Sequence, residues 1–361
     1  MKVHTKYAFL LSSLLSVLIA NNLDFSGFYR SQFSGYLTKD PMFTDVNKFR
    51  SRLETKHTVV ELDVFSYHGL ARQISGKNYG LALNQAYAQF ELNQSILTVG
   101  KQVILWGNGI FWNPTDILNT LPIFDPVVDF PGINALRIEI PTGDFSYFWC
   151  TVVPESMGST SKYLMRNVVN FHETDFGTSL SYHGLKKQMV LANDIKGHLW
   201  GAGWWVEAAY FDLKETDYYT FLTGMDYTVN LGNGWYTGLE YFHDNSGSRQ
   251  NNYNYLQILD GTRRTLARDY LMGMISTHLT LRASINLSAM INFSDNGVVL
   301  SPTFRFSLFP DSDFLFGGFF IFADQGDEFY PDLSEYSSIL PEIFNDISGK
   351  SQVFLWVEVN F

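Results

Sequence analysis

One cysteine, Cys150, stands in 361 residues, so no internal disulfide can staple the chain. Basic residues are also few: 25 Lys and Arg against 36 Asp and Glu give a net charge of -11, without the clustered cations that phosphate binding needs. Nucleic acid is therefore excluded as a partner class. Long apolar runs are missing too. The mean hydropathy is -0.05 and only one short apolar segment occurs, near the N-terminus, which excludes a bundle of membrane helices. The eight histidines are scattered, and no cofactor or metal motif accompanies them. A long chain with neither disulfides nor apolar helices must bury a large core or sit in lipid as half-apolar strands.

What is present fits the second solution. Residues 1–20 read as a secretory signal: Lys2, His4 and Lys6 precede an apolar run from Tyr7 to Ala20, too short to span a bilayer, and no lipobox Cys follows. At the other end Val353, Leu355, Val357, Val359 and Phe361 alternate with Gln352, Glu358 and Asn360, while Phe354 and Trp356 interrupt the polar face. This is the pattern of a barrel-closing strand, and a terminal Phe is the kind of signal read by outer-membrane assembly machinery. The clearest period of two runs from Arg282 to Phe293, with Ala283, Ile285, Leu287, Ala289, Ile291 and Phe293 on one face and Ser284, Asn286, Ser288 and Asn292 on the other. Residues 25–36, 84–92 and 134–140 alternate in the same way, whereas Phe314 to Ala323 is apolar on both faces and predicts an internal packing partner. Trp204, Trp205, Tyr218, Tyr219 and Tyr241 near strand ends suit interfacial aromatic girdles.

Long polar connections at about residues 37–46, 69–82, 107–132, 154–163, 244–266 and 324–350 alternate with tight joins. If long loops lie outside and turns lie in the periplasm, each pair of long loops brackets an even number of strands. The expected fold is all-β: a transmembrane antiparallel β-barrel of about 18 strands, with 16 as the alternative because His172 to Lys196 divides in two ways. Residues 21–361 then form one barrel domain with both termini periplasmic. The setting is a bacterial outer membrane reached by the Sec pathway, with lipid and lipopolysaccharide as surroundings.

The most distinctive segment reads GKQVILWGNGIFWNPTDILN from Gly100 to Asn119, followed by PGINALRIEIPTGDFSYFWCTVVPE from Pro131 to Glu155. It resembles a group of porin-like Gram-negative outer-membrane barrels in which a strand of the form VGRQxIxWGxG leads into an NPTD loop and a strand of the form ALRLEYxP follows. The resemblance implies a porin or channel-type barrel and names no substrate. Physically, Asn113 is a good helix N-cap, Pro114 fits the first helical position, and Asp116 stands where it can answer the cap, so a short helix is expected near Thr115 to Asn119. Folded into the lumen, this apolar loop would act as a constriction; outside it would be a lid. Infolding is favoured because its aromatic residues would otherwise form a large exposed patch.

The parity of the strands turns Arg30, Arg50, Arg52, Lys56, Arg137, Arg282 and Arg305 inward, opposed by Glu54, Glu91, Glu139, Glu207, Asp226, Glu240 and Glu358. Two arrangements follow: a basic wall facing an acidic wall across a pore, or salt-bridged ladders that stiffen the lumen. Lys101 breaks the phase of its strand, and a bulge at Gly100 would explain it. The acidic residues crowding 324–346 fit no recognised calcium loop. His243 and Asp244, with Ser246 and Ser248 nearby, have no nucleophile motif around them, so no enzyme is expected. The function read from the sequence is a diffusion channel for small hydrophilic solutes. The alternatives are a non-conducting surface barrel, acting as scaffold, adhesin or export partner, and a transporter of hydrophobic compounds. Oligomerisation is left open.

Overall fold

The structure is a computed structural model, and it describes residues 23–119, 130–154, 161–185, 187–212, 217–259, 263, 265–336 and 343–361. The signal segment and the stretch 120–129 lie outside the described residues.

Among the described residues, eighteen strands follow one another. They are β1 (Asp24–Tyr36), β2 (Met42–Glu54), β3 (Thr58–Gly69), β4 (Tyr79–Leu92), β5 (Ser95–Gln102) and β6 (Ile133–Gly143). Next come β7 (Ser146–Pro154), β8 (Ser161–Phe171), β9 (Thr174–His183), β10 (Gln188–Leu199), β11 (Ala202–Asp212) and β12 (Tyr218–Val229). The last are β13 (Trp235–Asp244), β14 (Asp269–Thr280), β15 (Ala283–Asn292), β16 (Val298–Phe306), β17 (Ser312–Phe322) and β18 (Gln352–Asn360). Each pairs antiparallel with its neighbours in sequence, and β18 returns to β1 from Phe28 opposite Asn360 to Tyr36 opposite Gln352. The sheet is thus a closed all-β barrel without an edge, so every strand's backbone is paired on both sides. The 18-strand count is the one adopted, because residues 174–199 form two strands.

All the long connections gather at one end: 103–132, 245–268 and 323–351 are among them. The other end has turns of two to five residues, together with the start of β1 and the end of β18. The outer surface carries the alternate apolar residues, such as Phe49, Met165, Leu191, Leu239, Leu287 and Leu355. Phe361 also lies there, its ring 5.6 Å from those of Phe25 and Phe49.

The hydrophobic core is inside the barrel. Trp112, Trp205, Leu222, Phe242, Tyr270, Met272 and Met290 form its largest cluster, drawn from lumen faces and from the 103–119 segment. Two sequence expectations change here. Of the five girdle aromatics, Trp204, Tyr219 and Tyr241 face outward, but Trp205 and Tyr218 alternate with them and point inward, Trp205 being only 4% exposed. Second, β5 keeps unbroken register with β4 through Gly100 and Lys101, so there is no bulge at Gly100. The register shift falls one strand earlier, between Glu61 and Leu62, where Asn84 of β4 is the extra residue. Lys101 donates from Nζ to the Leu83 carbonyl at 2.6 Å, which accommodates its ammonium out of phase.

Candidate functional site

The segment from Asn108 to Asn119 lies in the lumen, held by carboxylates that project from the far wall. Glu207 of β11 accepts from the backbone N–H of Asn108, from that of Gly109 at 3.0 Å, and from the N–H and hydroxyl of Thr115 at 3.2 and 2.9 Å. Glu240 of β13 accepts from the N–H groups of Ile110 at 2.5 Å and Phe111 at 2.9 Å, and from the Trp205 indole at 2.9 Å. Both carboxylates are fully buried. The arrangement works because Gly107, at φ +95, and Gly109 let the chain double back. A Cβ at Gly109 would collide with the Trp112 carbonyl oxygen. Successive N–H groups thereby converge on an anion, as in a backbone nest. Trp112 then stacks on Phe242, with centroids 5.3 Å apart and planes 9° apart.

The helix expected near Thr115 to Asn119 is absent. The Asn113–Asp116 stretch makes a single turn, with the Asp116 N–H on the Asn113 carbonyl at 3.0 Å, while the Asn113 side-chain oxygen finds no partner. Glu207 takes the Thr115 N–H that a capping residue would need. Asp116 instead receives the N–H groups of Leu118 and Asn119 at 3.3 Å and the Asn119 amide at 2.9 Å. Pro114 lines the pocket above this turn, together with Lys162, His183 and Arg263.

A third anchor is an ion pair that the sequence pattern did not single out. Arg166 of β8 grips Asp194 of β10 in bidentate fashion at 2.7 and 3.0 Å, and Asp194 also accepts from the Asn108 side-chain amide at 2.9 Å. Arg166 lies 5.7 Å from the Trp106 ring and donates to Ser179 at 2.8 Å. The only sequence signal for this pair is its lumen parity between apolar neighbours, Leu164 and Val168 on β8 and Val190 and Ala192 on β10.

The basic residues of the first two strands form a ladder. Arg30 pairs with Glu358 at 2.6 Å across the closing seam. Lys48 meets Asp63 at 3.0 Å, Arg50 meets Asp63 at 2.7 Å and Glu61 at 3.2 Å, and Arg52 meets Glu54 at 2.9 Å and Glu61 at 3.1 Å. Glu61 and Asp63, on the neighbouring strand β3, were missed among the expected partners, though the alternation Val59, Glu61, Asp63, Phe65 marks them as inward. Hence the two-wall picture changes: the basic side carries its own acids, and Glu207 and Glu240 are covered by the infolded segment. Asp226 accepts from the Tyr236 hydroxyl and the Gly203 N–H, both at 3.0 Å. Arg137 lies 4.9 Å from the Trp149 ring, on the lumen face it shares with Glu139. Arg305 is exposed on the inward parity of β16. Lys56 and Arg282 are not on strand faces at all: each stands in a tight turn, and Lys56 pairs there with the exposed Glu91 at 3.2 Å.

His243 and Asp244 occupy opposite faces of β13. His243 bonds Asp269 at 2.6 Å and Ser246 bonds Asp244 at 2.6 Å, so histidine and serine do not meet as base and nucleophile.

A latch joins the connections 245–268 and 323–351. Glu328 receives the Leu266 N–H at 2.7 Å, the Asn292 amide at 2.8 Å and the Tyr270 hydroxyl, and its own N–H donates to Asp295 at 2.9 Å. Burial pushes the Glu328 carboxyl up to about 7, with Asp295 adding to the rise and the hydrogen bonds from Tyr270, Leu266 and Ala267 opposing it. A carboxyl raised above its unfolded value favours the closed latch fully below that unfolded value, near 4.5, and loses this contribution as pH climbs to about 7. Amide-exchange protection of residues 324–330 is therefore expected to fall by at least about tenfold between pH 5 and pH 8, because between the open and closed pKa values the latch equilibrium changes about tenfold for each pH unit. Glu328→Gln should flatten that profile; an equally steep profile in the variant would assign the change to another group.

No protein-family model and no curated protein sequence matches the chain. In fold it is similar to the crystal structure of Pseudomonas aeruginosa OccK5 (OpdH), with a TM-score of 0.64, 8% identity, and coverage of 94% of this chain and 98% of that one. A BenF-like porin from Pseudomonas fluorescens Pf-5 gives 0.61, 8%, 94% and 98%. OccAB3 of Acinetobacter baumannii gives 0.60, 9%, 94% and 99%. At such identities the likeness is one of fold, extending over nearly the whole of each chain.

Proposed function

We propose that the protein is a bacterial outer-membrane porin, a passive channel for small hydrophilic solutes, and not an enzyme. The observation that carries this reading is an infolded segment, residues 108–119, held by Glu207 and Glu240 inside a closed barrel whose opposite wall is a charged ladder. An infolded segment narrows a pore, and paired charges hydrate a lumen while keeping its net selectivity weak. The similarity of fold to a BenF-like porin supports the same reading. In this proposal the long connections face outward and both termini the periplasm. The apolar band meets lipid and lipopolysaccharide, Phe361 is presented to the assembly machinery, and residues 1–20 direct Sec export.

Single-channel conductance in a planar bilayer tests it. Steady openings are expected, and replacing Arg50 and Arg52 together by Ala should shift selectivity toward cations, since Glu61 and Asp63 then face the lumen without their arginines. Silence of the intact protein would favour the non-conducting surface barrel, a reading to which the apolar cluster around Trp112 and Tyr270 inside the lumen lends support.

A further inference from the structure

The lumen side of β17 is apolar where a hydrophilic channel would have polar residues. Phe319 and Ile321 continue there into Phe354 and Trp356 of β18, with ring centroids 5.4 Å apart for Phe319 and Phe354 and 5.7 Å for Phe354 and Trp356. Phe329 and Ile347 of the connection 323–351 lie against this surface. A cavity of about 470 Å³ remains, within the usual size of small-molecule sites. Water in such a cavity wets aromatic faces at a cost that an apolar guest removes.

One further observation says what kind of guest. Among the described residues lining the cavity, Lys350 is the only charged one. Its ammonium lies 4.5 Å from the Tyr330 ring and donates to the Tyr330 hydroxyl at 2.7 Å, one of the three bonds an ammonium can make.

We propose that this cavity binds one single-chain amphiphile. Its hydrocarbon lies along Phe319, Ile321 and Phe354, and its carboxylate head meets Lys350. The site is separate from the 108–119 segment and concerns solutes unlike those of the proposed channel.

The test is calorimetry of decanoate and of decanol with the full chain in lipid nanodiscs, the heat of empty discs being subtracted, because detergent would itself compete for the cavity. Saturable one-to-one binding of decanoate is expected. Lys350→Gln should weaken decanoate about tenfold, as the loss of a charge-assisted bond does, and leave decanol within about twofold. Ile321→Trp, which fills the cavity, should abolish binding of both. Heat-modifiable gel migration checks that each variant is folded. Partition indistinguishable from that of empty discs, or decanoate affinity unchanged in both variants, would overturn the proposal. Because the readout needs no ion flow, saturable binding by a barrel silent in bilayers would overturn the channel reading and leave the cavity standing.

Discussion

Replacing Glu207 and Glu240 together by alanine is expected to raise single-channel conductance to that of a protein lacking residues 110–130. The two carboxylates accept five backbone N–H groups from Asn108, Gly109, Ile110, Phe111 and Thr115, besides the Thr115 hydroxyl and the Trp205 indole. Alanine leaves each donor buried and unpaired, at about 1–3 kcal/mol apiece. The segment therefore gains by moving toward water, where those donors are hydrated. Glutamine at both sites keeps one acceptor oxygen per side chain, and its effect on conductance should be smaller. Conductance unchanged by the alanine pair, with the deletion equally without effect, would mean that the segment does not set the bore.

The second large effect is on stability. Arg166→Met leaves Asp194 buried beside the infolded segment without its cation, and removing one partner of a buried pair costs about 3–5 kcal/mol. The side chains of Arg166 and Asp194 are 6% and 2% exposed, so solvent cannot make good the loss. The midpoint of urea unfolding in lipid micelles should fall accordingly. Arg166→Met combined with Asp194→Leu should recover most of that loss, because an apolar pair of similar volume needs no compensating charge. A double variant no more stable than the single one would show that the pair's bonds to Asn108 and Ser179 matter more than the charge balance.

Strand periodicity, the inward parity of Arg30, Arg50, Arg52, Glu207 and Glu240 and the doubly apolar β17 were legible along the chain, whereas Lys56 and Arg282, counted inward with them, stand in turns. A period of two depends only on neighbouring residues, and the membrane imposes it on each strand separately. Errors arose where local rules met competition. Asn113, Pro114 and Asp116 satisfy every local requirement of a helix start, yet Glu207, nearly a hundred residues later, takes the Thr115 N–H and leaves only a turn. Trp205 and Tyr218 resemble interfacial aromatics in composition, and only strand parity, counted through the register, turns them inward.

The sequence by itself determined a closed barrel of alternating strands, because each strand's two faces are written in adjacent residues and closure follows from leaving no strand edge in lipid. The tertiary structure alone decided which buried carboxylate holds which backbone. Glu207 with Thr115, Glu240 with Phe111, Arg166 with Asp194 and Glu328 with Leu266 are partners only once closure and infolding set distant segments face to face, and a buried charge takes whatever donors that geometry delivers.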